Sequence, residues 1–437
     1  MAREIDAGTQ KMRMLRACEL PLLYAVMAFQ LLSMGTLAFK AEQICLFSVK
    51  AAALLPLCTW LGYIYFKRHF HIDRVLYILT AFLCSLGVIL LRAVFTKADN
   101  AQKQANLLLA VIPVMSLGIY AVRSTDFARL AQRCGLIMIF AMCALCLPYV
   151  FPTSGSARNW ARIGSLPAIQ PSELVKPVCV YIYALCFRSD ADKWVRGEAC
   201  VFACACCALL CVQRDLGAAF LYFILALAMY AVGTGRMRQS IGMLILAIVL
   251  AAMFVVVNQK TGWMEYLTQR IELYKNPWKY SDGSGDQIVQ GLISIASGGL
   301  FGAGLGMSSA SRVAVVKSDY IFAAMAEEYG TLFSVCVIGV YLIICVKGIS
   351  IALNARSQRH ALIALGAVVQ LITQAAVIIL GNLNMIPLTG VTLPFVSSGG
   401  SSLISAALLM GMILGVSSVN AEDEYDDLIH ICHGRLP

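Results

Sequence analysis

A chain of 437 residues that is 60% hydrophobic and only 13% charged, with a mean hydropathy of +0.77, is not a soluble globular protein. Its formal net charge of +10 would suggest an anionic partner in a soluble chain. Here the Lys and Arg residues lie between apolar blocks, so the charge reads as membrane topology and excludes a nucleic-acid footprint.

Apolar blocks of about twenty residues, the length a helix needs to cross the hydrocarbon core, recur along the chain. Twelve spans are predicted, near 20–39, 44–66, 75–95, 105–122, 134–151, 172–187, 199–213, 216–232, 240–257, 319–346, 361–381 and 399–418. The fold class is therefore all-α, a polytopic integral membrane protein. Between 199–213 and 216–232, the break at Gln213-Arg214-Asp215-Leu216-Gly217 is either a tight turn or a kink, so eleven spans is the alternative count. The basic N-terminus (Arg3, Lys11, Arg13, Arg16) is expected to be an anchor rather than a cleaved leader. Clusters at Lys67-Arg68, Arg123, Arg129, Arg133, Arg356 and Arg359 fall on the same side, which predicts cytoplasmic termini. On that reading the loops 152–171, 258–318 and 382–398 lie outside, and 258–318 is the large extracellular one. Residues 1–133 are expected to form an N-terminal four-helix membrane region, 134–418 a membrane core and 419–437 an acidic cytoplasmic tail. Most of the 17 Cys lie inside spans, such as Cys200, Cys204, Cys206, Cys207 and Cys211. They read as small apolar helix residues, not as the paired ligands of a metal knuckle.

Four polar stretches break the apolar pattern on the outer side. The first runs from Ser156-Ala157-Arg158-Asn159-Trp160 to Gln170-Pro171-Ser172-Glu173 and Lys176. Pro171 is suited to the first helical position, and Glu173 and Lys176, three apart, share a face. The plain alternative is a salt bridge that seats a helix end. Trp160 beside Arg158 and Arg162 is placed to stack on a sugar next to a phosphate, or to serve as an ordinary interfacial aromatic. The second stretch is Gln213–Gly217, whose Asp215 must be satisfied by protein or water, as a turn or as a site. The third carries Arg270, Gln287 and the glycine run Ser297–Gly306, then Asp319 at the mouth of a span, with Glu327 and Glu328 two turns further on. The glycines lack the strand and helix of a dinucleotide fingerprint. Two adjacent carboxylates inside a span cannot both face lipid, so at least one must point into protein or a cavity. The fourth, Asn382 to Ser402, has Pro387, Pro394 and a Gly399-Gly400-Ser401 start, and predicts a broken segment lining a cavity.

In this order the stretches resemble the SEDS family of cell-wall polymerases, the RodA, FtsW and SpoVE proteins, over residues 134–418. The motifs are Ala157-Arg158-Asn159-Trp160, Gln170-Pro171-Ser172-Glu173-Leu174 with Lys176, Gln213-x-Asp215-Leu216-Gly217, Ser297-Gly298-Gly299-Leu300-x-Gly302, Ser318-Asp319-Tyr320-Ile321-Phe322 with Ala326-Glu327-Glu328, and Pro394 to Ser402. The resemblance implies a peptidoglycan glycosyltransferase of the bacterial cytoplasmic membrane. It would polymerise lipid II into β-1,4-linked glycan on the outer face, beside a class B penicillin-binding protein that cross-links the product. The family's essential aspartate falls at Asp319. Three features depart from the common pattern: two extra spans ahead of the Arg-Asn-Trp motif, Arg214 where Pro is usual, and Ser398 where Tyr is usual.

Chemistry and resemblance combine in one hypothesis. Asp319 is the base that deprotonates the acceptor hydroxyl for inverting attack. Arg158, Lys176 and Arg270 hold the diphosphate, with room for a divalent cation, while Trp160, Glu173, Asp215, Gln287, Glu327 and Ser401 complete the substrate contacts. The competing readings are a lipid II flippase and a non-catalytic scaffold for the transpeptidase.

Overall fold

A computed structural model of the protein describes residues 2–39, 45–95, 97–153, 159–162, 164, 167–261, 265–313 and 315–432, with side chains from Glu19 to Asp427 except at 254 and 258–267. Ala157 and Arg158 lie outside the described residues, as do the side chains of Arg3, Lys11, Arg13 and Arg16.

Among these residues the fold is all helix apart from two isolated bridges, Pro152 to Ala161 and Ala161 to Ile169. In chain order the helices are α1 (Ala2–Phe39), α2 (Leu46–His69), α3 (Arg74–Val94), α4 (Asp99–Ser124), α5 (Phe127–Gln132), α6 (Cys134–Val150), α7 (Pro171–Cys186), α8 (Lys193–Val212), α9 (Leu216–Thr234) and α10 (Met237–Thr261). They continue with α11 (Glu265–Lys275), α12 (Asp286–Gly298), α13 (Ile321–Leu353), α14 (Gln358–Asn382) and α15 (Gly400–Cys432). Ten of the described helices are long and apolar enough to cross a membrane. The other two predicted spans are also helices, α6 of 17 residues and α7 of 16, both shorter than a full crossing. The uncertain pair resolves into two helices, because Arg214 takes a positive φ of 64° and turns the chain between α8 and α9.

Polar residues set the ends of these apolar rods. Asp73 caps α3 by accepting from the amides of Val75 and Leu76, at 3.0 and 3.3 Å, and Asp126 caps α5 in the same way. Pro171 takes the first helical position of α7. One apolar core runs from Leu23 on α1 to Val416 on α15. Its centre is α3, α14 and α15, with α4 lying along α15, whereas α10 packs chiefly on α9 and α11 and its described residues are mostly exposed. The first two helices are fastened to this core. Glu19 pairs with Arg74 at 3.0 Å, and Phe29 stacks on Phe333 of α13 with ring centroids 5.8 Å apart.

Charged contacts gather at one end of the bundle, where Lys347 meets Asp73 at 2.6 Å and Arg123 meets Glu422 at 2.7 Å. The opposite end carries the described residues of 152–170 and 265–320, together with the segment 383–399. The predicted extracellular loop is thus largely structured, with α11, α12 and two 3₁₀ turns inside it.

Candidate functional site

Asp319 ends a turn in which its amide donates to the Val315 carbonyl at 3.0 Å. Two neighbouring segments hold that turn. Ser397 Oγ donates to the Ser318 carbonyl at 2.6 Å, and the Ser398 amide to the Lys317 carbonyl at 2.8 Å. From α14, Asn382 Nδ2 donates to the Asp319 carbonyl at 2.6 Å while its Oδ1 accepts from the Ala323 amide at 3.2 Å. One amide side chain therefore fixes the backbone of Asp319 and the first turn of α13 together. The carboxylate looks toward Gly390: a β-carbon placed there would lie 3.7 Å from Asp319 Oδ2. Gly390 has φ +72°, a conformation that glycine adopts without strain, so the segment closes over the acid with no side chain in the way.

Arg270 arrives from α11. Its Nη1 donates to the Leu388 carbonyl at 3.3 Å, and Tyr274, one turn on, donates to the Met385 carbonyl at 3.1 Å. Asn384 returns a bond to the Tyr274 carbonyl at 3.2 Å. Asp319 is half-buried, and burial pushes its carboxyl above the ordinary carboxylate range, while the Ser318 hydroxyl and the Arg270 charge pull it back down.

Beneath this pair is a buried polar layer. Lys176 is fully buried and gives its ammonium to Glu173 Oε1 at 2.7 Å and to Gln374 Oε1 at 2.9 Å. Gln374 in turn donates to the Thr392 carbonyl at 2.9 Å, and Thr392 Oγ1 meets Ser402 Oγ at 2.5 Å. The Glu173 carbonyl accepts from Ser405 at 2.7 Å. The shared face of Glu173 and Lys176 is thus confirmed, but Lys176 does not reach an open surface where a diphosphate would lie. It supports the 389–402 segment from below.

The other expected contacts divide in the same way. Asp215 caps α9 through the Ala218 amide at 3.0 Å and holds the loop before α7 by accepting from Asn159 Nδ2 at 2.7 Å and Gln170 Nε2 at 3.0 Å. Both of its oxygens are engaged by protein. Asp215→Ala is expected to cost about 1–2 kcal/mol for the cap alone and to free the 159–170 loop, measured as faster limited proteolysis there. Glu327 accepts from the Ser309 amide at 2.6 Å, and Glu328 from Gly306 and Ser308, so both carboxylates bind the end of the glycine run instead of facing lipid. That run lies along a break in α13 at Gly330, whose φ of 88° is left-handed, and Thr331 and Leu332 donate to the Gly299 and Leu300 carbonyls at 2.9 and 3.2 Å. Trp160, Gln287 and Ser401 are half-buried at the same end of the bundle: Trp160 in the Asp215-anchored loop, Gln287 on the first turn of α12, and Ser401 at the start of α15.

An apolar groove of about 690 Å³ lies between α6 and α7, lined by Leu136, Phe140, Ala144, Leu174 and Val178. It runs from Arg133 to Ala161, Ile169 and Pro171, which belong to the Asp215-anchored loop and the start of α7. Among the described residues no group of three or more His, Cys, Asp or Glu side chains is placed to cage a metal ion. A single carboxylate such as Asp319 fits Mg²⁺ held chiefly by substrate oxygens.

Sequence reasoning placed Asn382 and Ser397 in the fourth polar stretch without giving them a role, and it did not name Gln374. A signal was present, because Gln370, Gln374 and Asn382 recur at multiples of four along the apolar α14 and so form one polar stripe.

A bundle of membrane-length helices, with a half-buried acid beside an arginine at one end and an apolar groove entering from the side, defines a polytopic membrane protein suited to amphipathic substrates. The model of the FtsW/RodA/SpoVE cell cycle proteins matches residues 73–422, and the chain belongs to that family. The probable peptidoglycan glycosyltransferase FtsW of Bacillus subtilis is 32% identical over 295 residues, 64% of this chain and 72% of its own. Stage V sporulation protein E of the same organism is 29% identical over 365 residues, 79% of this chain and 96% of its own. The fold agrees with a chain of a peptidoglycan synthase complex that coordinates polymerization and crosslinking, with a TM-score of 0.65 at 22% identity over 80% of this chain and 98% of that one. It also agrees with the rod shape determining protein RodA of Thermus thermophilus, with a TM-score of 0.54 at 24% identity over 79% of this chain and 97% of that one.

Proposed function

We propose that this protein is an inverting peptidoglycan glycosyltransferase that polymerises lipid II at the outer face of the bacterial cytoplasmic membrane. The observation that carries the reading is the half-buried Asp319 beside Arg270, at the end of the bundle that the α6–α7 groove reaches through Ala161, Ile169 and Pro171. The names of the matched relatives support the same activity. With both termini cytoplasmic, Asp319 faces outward, where its disaccharide substrate is displayed. The polyprenyl tail enters the groove sideways. A class B penicillin-binding protein is the partner that the synthase-complex neighbour suggests.

Asp319 accepts the proton of the acceptor hydroxyl as the new C–O bond forms at the donor's anomeric carbon. The bond from that carbon to the diphosphate oxygen breaks, and the polyprenyl diphosphate leaves with the electron pair. A diphosphate is already a good leaving group, so it needs positive charge more than a proton. Arg270 supplies that charge, and a divalent cation bound with the substrate would add to it. Lys176 and Glu173 act at one remove by holding the 389–402 segment. The test is glycan-strand formation from lipid II by the reconstituted protein with its transpeptidase. Absence of strands from an intact complex would return the flippase and scaffold readings.

Arg270→Gln is expected to slow polymerisation about 10²-fold, as for the loss of one transition-state donor. It also removes a charge that lowers the Asp319 pKa. The base must be ionised to work, so the acid limb of the pH–rate profile is expected to move to higher pH. An unmoved limb would separate Arg270 from the carboxylate.

A further inference from the structure

The family match begins at residue 73, so α1 and α2 lie outside it, and they create a cavity on the flank of the bundle. Helices α2 and α4 both pack on α3. They close on each other at Gly62, where a β-carbon would lie 2.8 Å from Ile112 Cδ1 and would also meet Tyr77 Oη. Toward the Asp319 end the space between them stays open, as a cavity of about 350 Å³ lined by Leu54 and Cys58 of α2, Ser85 of α3, and Leu109 and Ile112 of α4. At its mouth are Lys50, Gln102 and Asn106, all exposed. Lys50 is the one charged side chain among the lining residues, which include no carboxylate.

Size and charge select the occupant. From Lys50 to Gly62 the helix rises roughly 18 Å, close to the depth of one leaflet of a hydrocarbon core about 30 Å thick. A helix of that length and about 10 Å across would occupy roughly 1,400 Å³, so the cavity takes a hydrocarbon chain and not a protein segment. A polyprenyl chain long enough to cross both leaflets would meet the closed end at Gly62. We propose that the cleft binds one anionic glycerophospholipid of the leaflet on the Asp319 side. Lys50 holds its phosphate, Gln102 and Asn106 hydrogen-bond the headgroup, and one acyl chain lies along Leu54 and Leu109 down to Gly62.

The site has a structural consequence. On another face of α4, Gln104 Nε2 donates to the Ser397 carbonyl at 3.3 Å, and Ser397 is the residue that holds Ser318. Gly87 of α3 packs directly on the Val396 carbonyl. A lipid in the cleft therefore braces the two helices that carry the segment over Asp319.

The full-length protein, Lys50→Gln and Ala105→Trp are purified in mild detergent from membranes containing phosphatidylglycerol and phosphatidylethanolamine, and the retained lipid is counted by native mass spectrometry. The wild type is expected to keep about one phosphatidylglycerol per chain. Lys50→Gln is expected to lower this about fivefold, the factor one lysine contributes near an anionic headgroup, and Ala105→Trp, whose indole fills the cleft, is expected to abolish it. Lys50 is exposed, so its variant decides the matter even if the tryptophan disturbs folding. Equal retention in Lys50→Gln and wild type, equal retention of phosphatidylethanolamine, or a polyprenyl diphosphate as the retained species would each overturn the proposal. The readout is independent of glycan synthesis, so it stands or falls apart from the catalytic reading.

Discussion

Asp319→Asn is expected to reduce lipid II polymerisation by about 10²–10⁴-fold, the usual contribution of a positioned general base, while leaving the melting temperature at pH 7 equal to or above that of the wild type. The two halves of this expectation share one cause. Burial raises the Asp319 pKa above the unfolded value of about 3.9. A carboxyl shifted upward favours the fold when protonated, below the unfolded pKa, and that benefit is lost as pH rises through the folded pKa. At neutral pH the ionised acid therefore weakens the fold, and the neutral, nearly isosteric amide relieves the cost. The stability difference between the two proteins should vanish below about pH 4. An acid kept at such a cost points to function, since a structural acid would lose stability on neutralisation. Polymerisation at the wild-type rate would sink the assignment of the base. A clear drop in melting temperature at pH 7 would instead make Asp319 a structural anchor.

The twelve spans were readable because membrane helices announce themselves by length and by uninterrupted apolarity, whereas the polar α11 and the short α5 and α12 gave no such signal. Even the shortest, α7, could be placed, since Pro171 marks its start and the i,i+3 spacing of Glu173 and Lys176 puts both on one face. Asp319 stands out in the sequence as a candidate because a carboxylate at the mouth of an apolar helix is costly enough to need an explanation. What sequence did not supply was the direction in which each polar group points. Lys176 and Asp215 look as suitable for a phosphate or sugar as Arg270 does, yet the first is enclosed by Glu173 and Gln374 and the second is spent on a cap and a loop. Glu173 and the Ala218 amide are each only three residues away, but Gln374 is 198 residues from Lys176 and Gln170 45 from Asp215, and no local pattern encodes those distant partners. The same holds for Glu327 and Glu328. The rule that they cannot both face lipid was sound, but their partners, Ser309 and Gly306, belong to a loop whose path is set by the break at Gly330.

Lys176→Met is expected to destabilise the protein by about 3–5 kcal/mol, the penalty for leaving one member of a buried ion pair without its partner. Enclosure is the cause: both side chains of the pair are buried. With the ammonium gone, Glu173 is left buried without its counter-ion, and Gln374 loses the neighbour that sets its amide plane toward Thr392. The effect should reach the 389–402 segment first and appear as faster hydrogen exchange there before the bundle melts. Replacing both charges, Glu173→Leu with Lys176→Met, removes the stranded carboxylate, so the double variant is expected to melt above either single one. The comparison also separates support from direct substrate contact. If Lys176 acts by holding the segment, polymerisation should recover with stability in the double variant. If its ammonium touched the diphosphate, the double variant would regain its fold and stay inactive, and the roles of Lys176 and Arg270 would have to be exchanged.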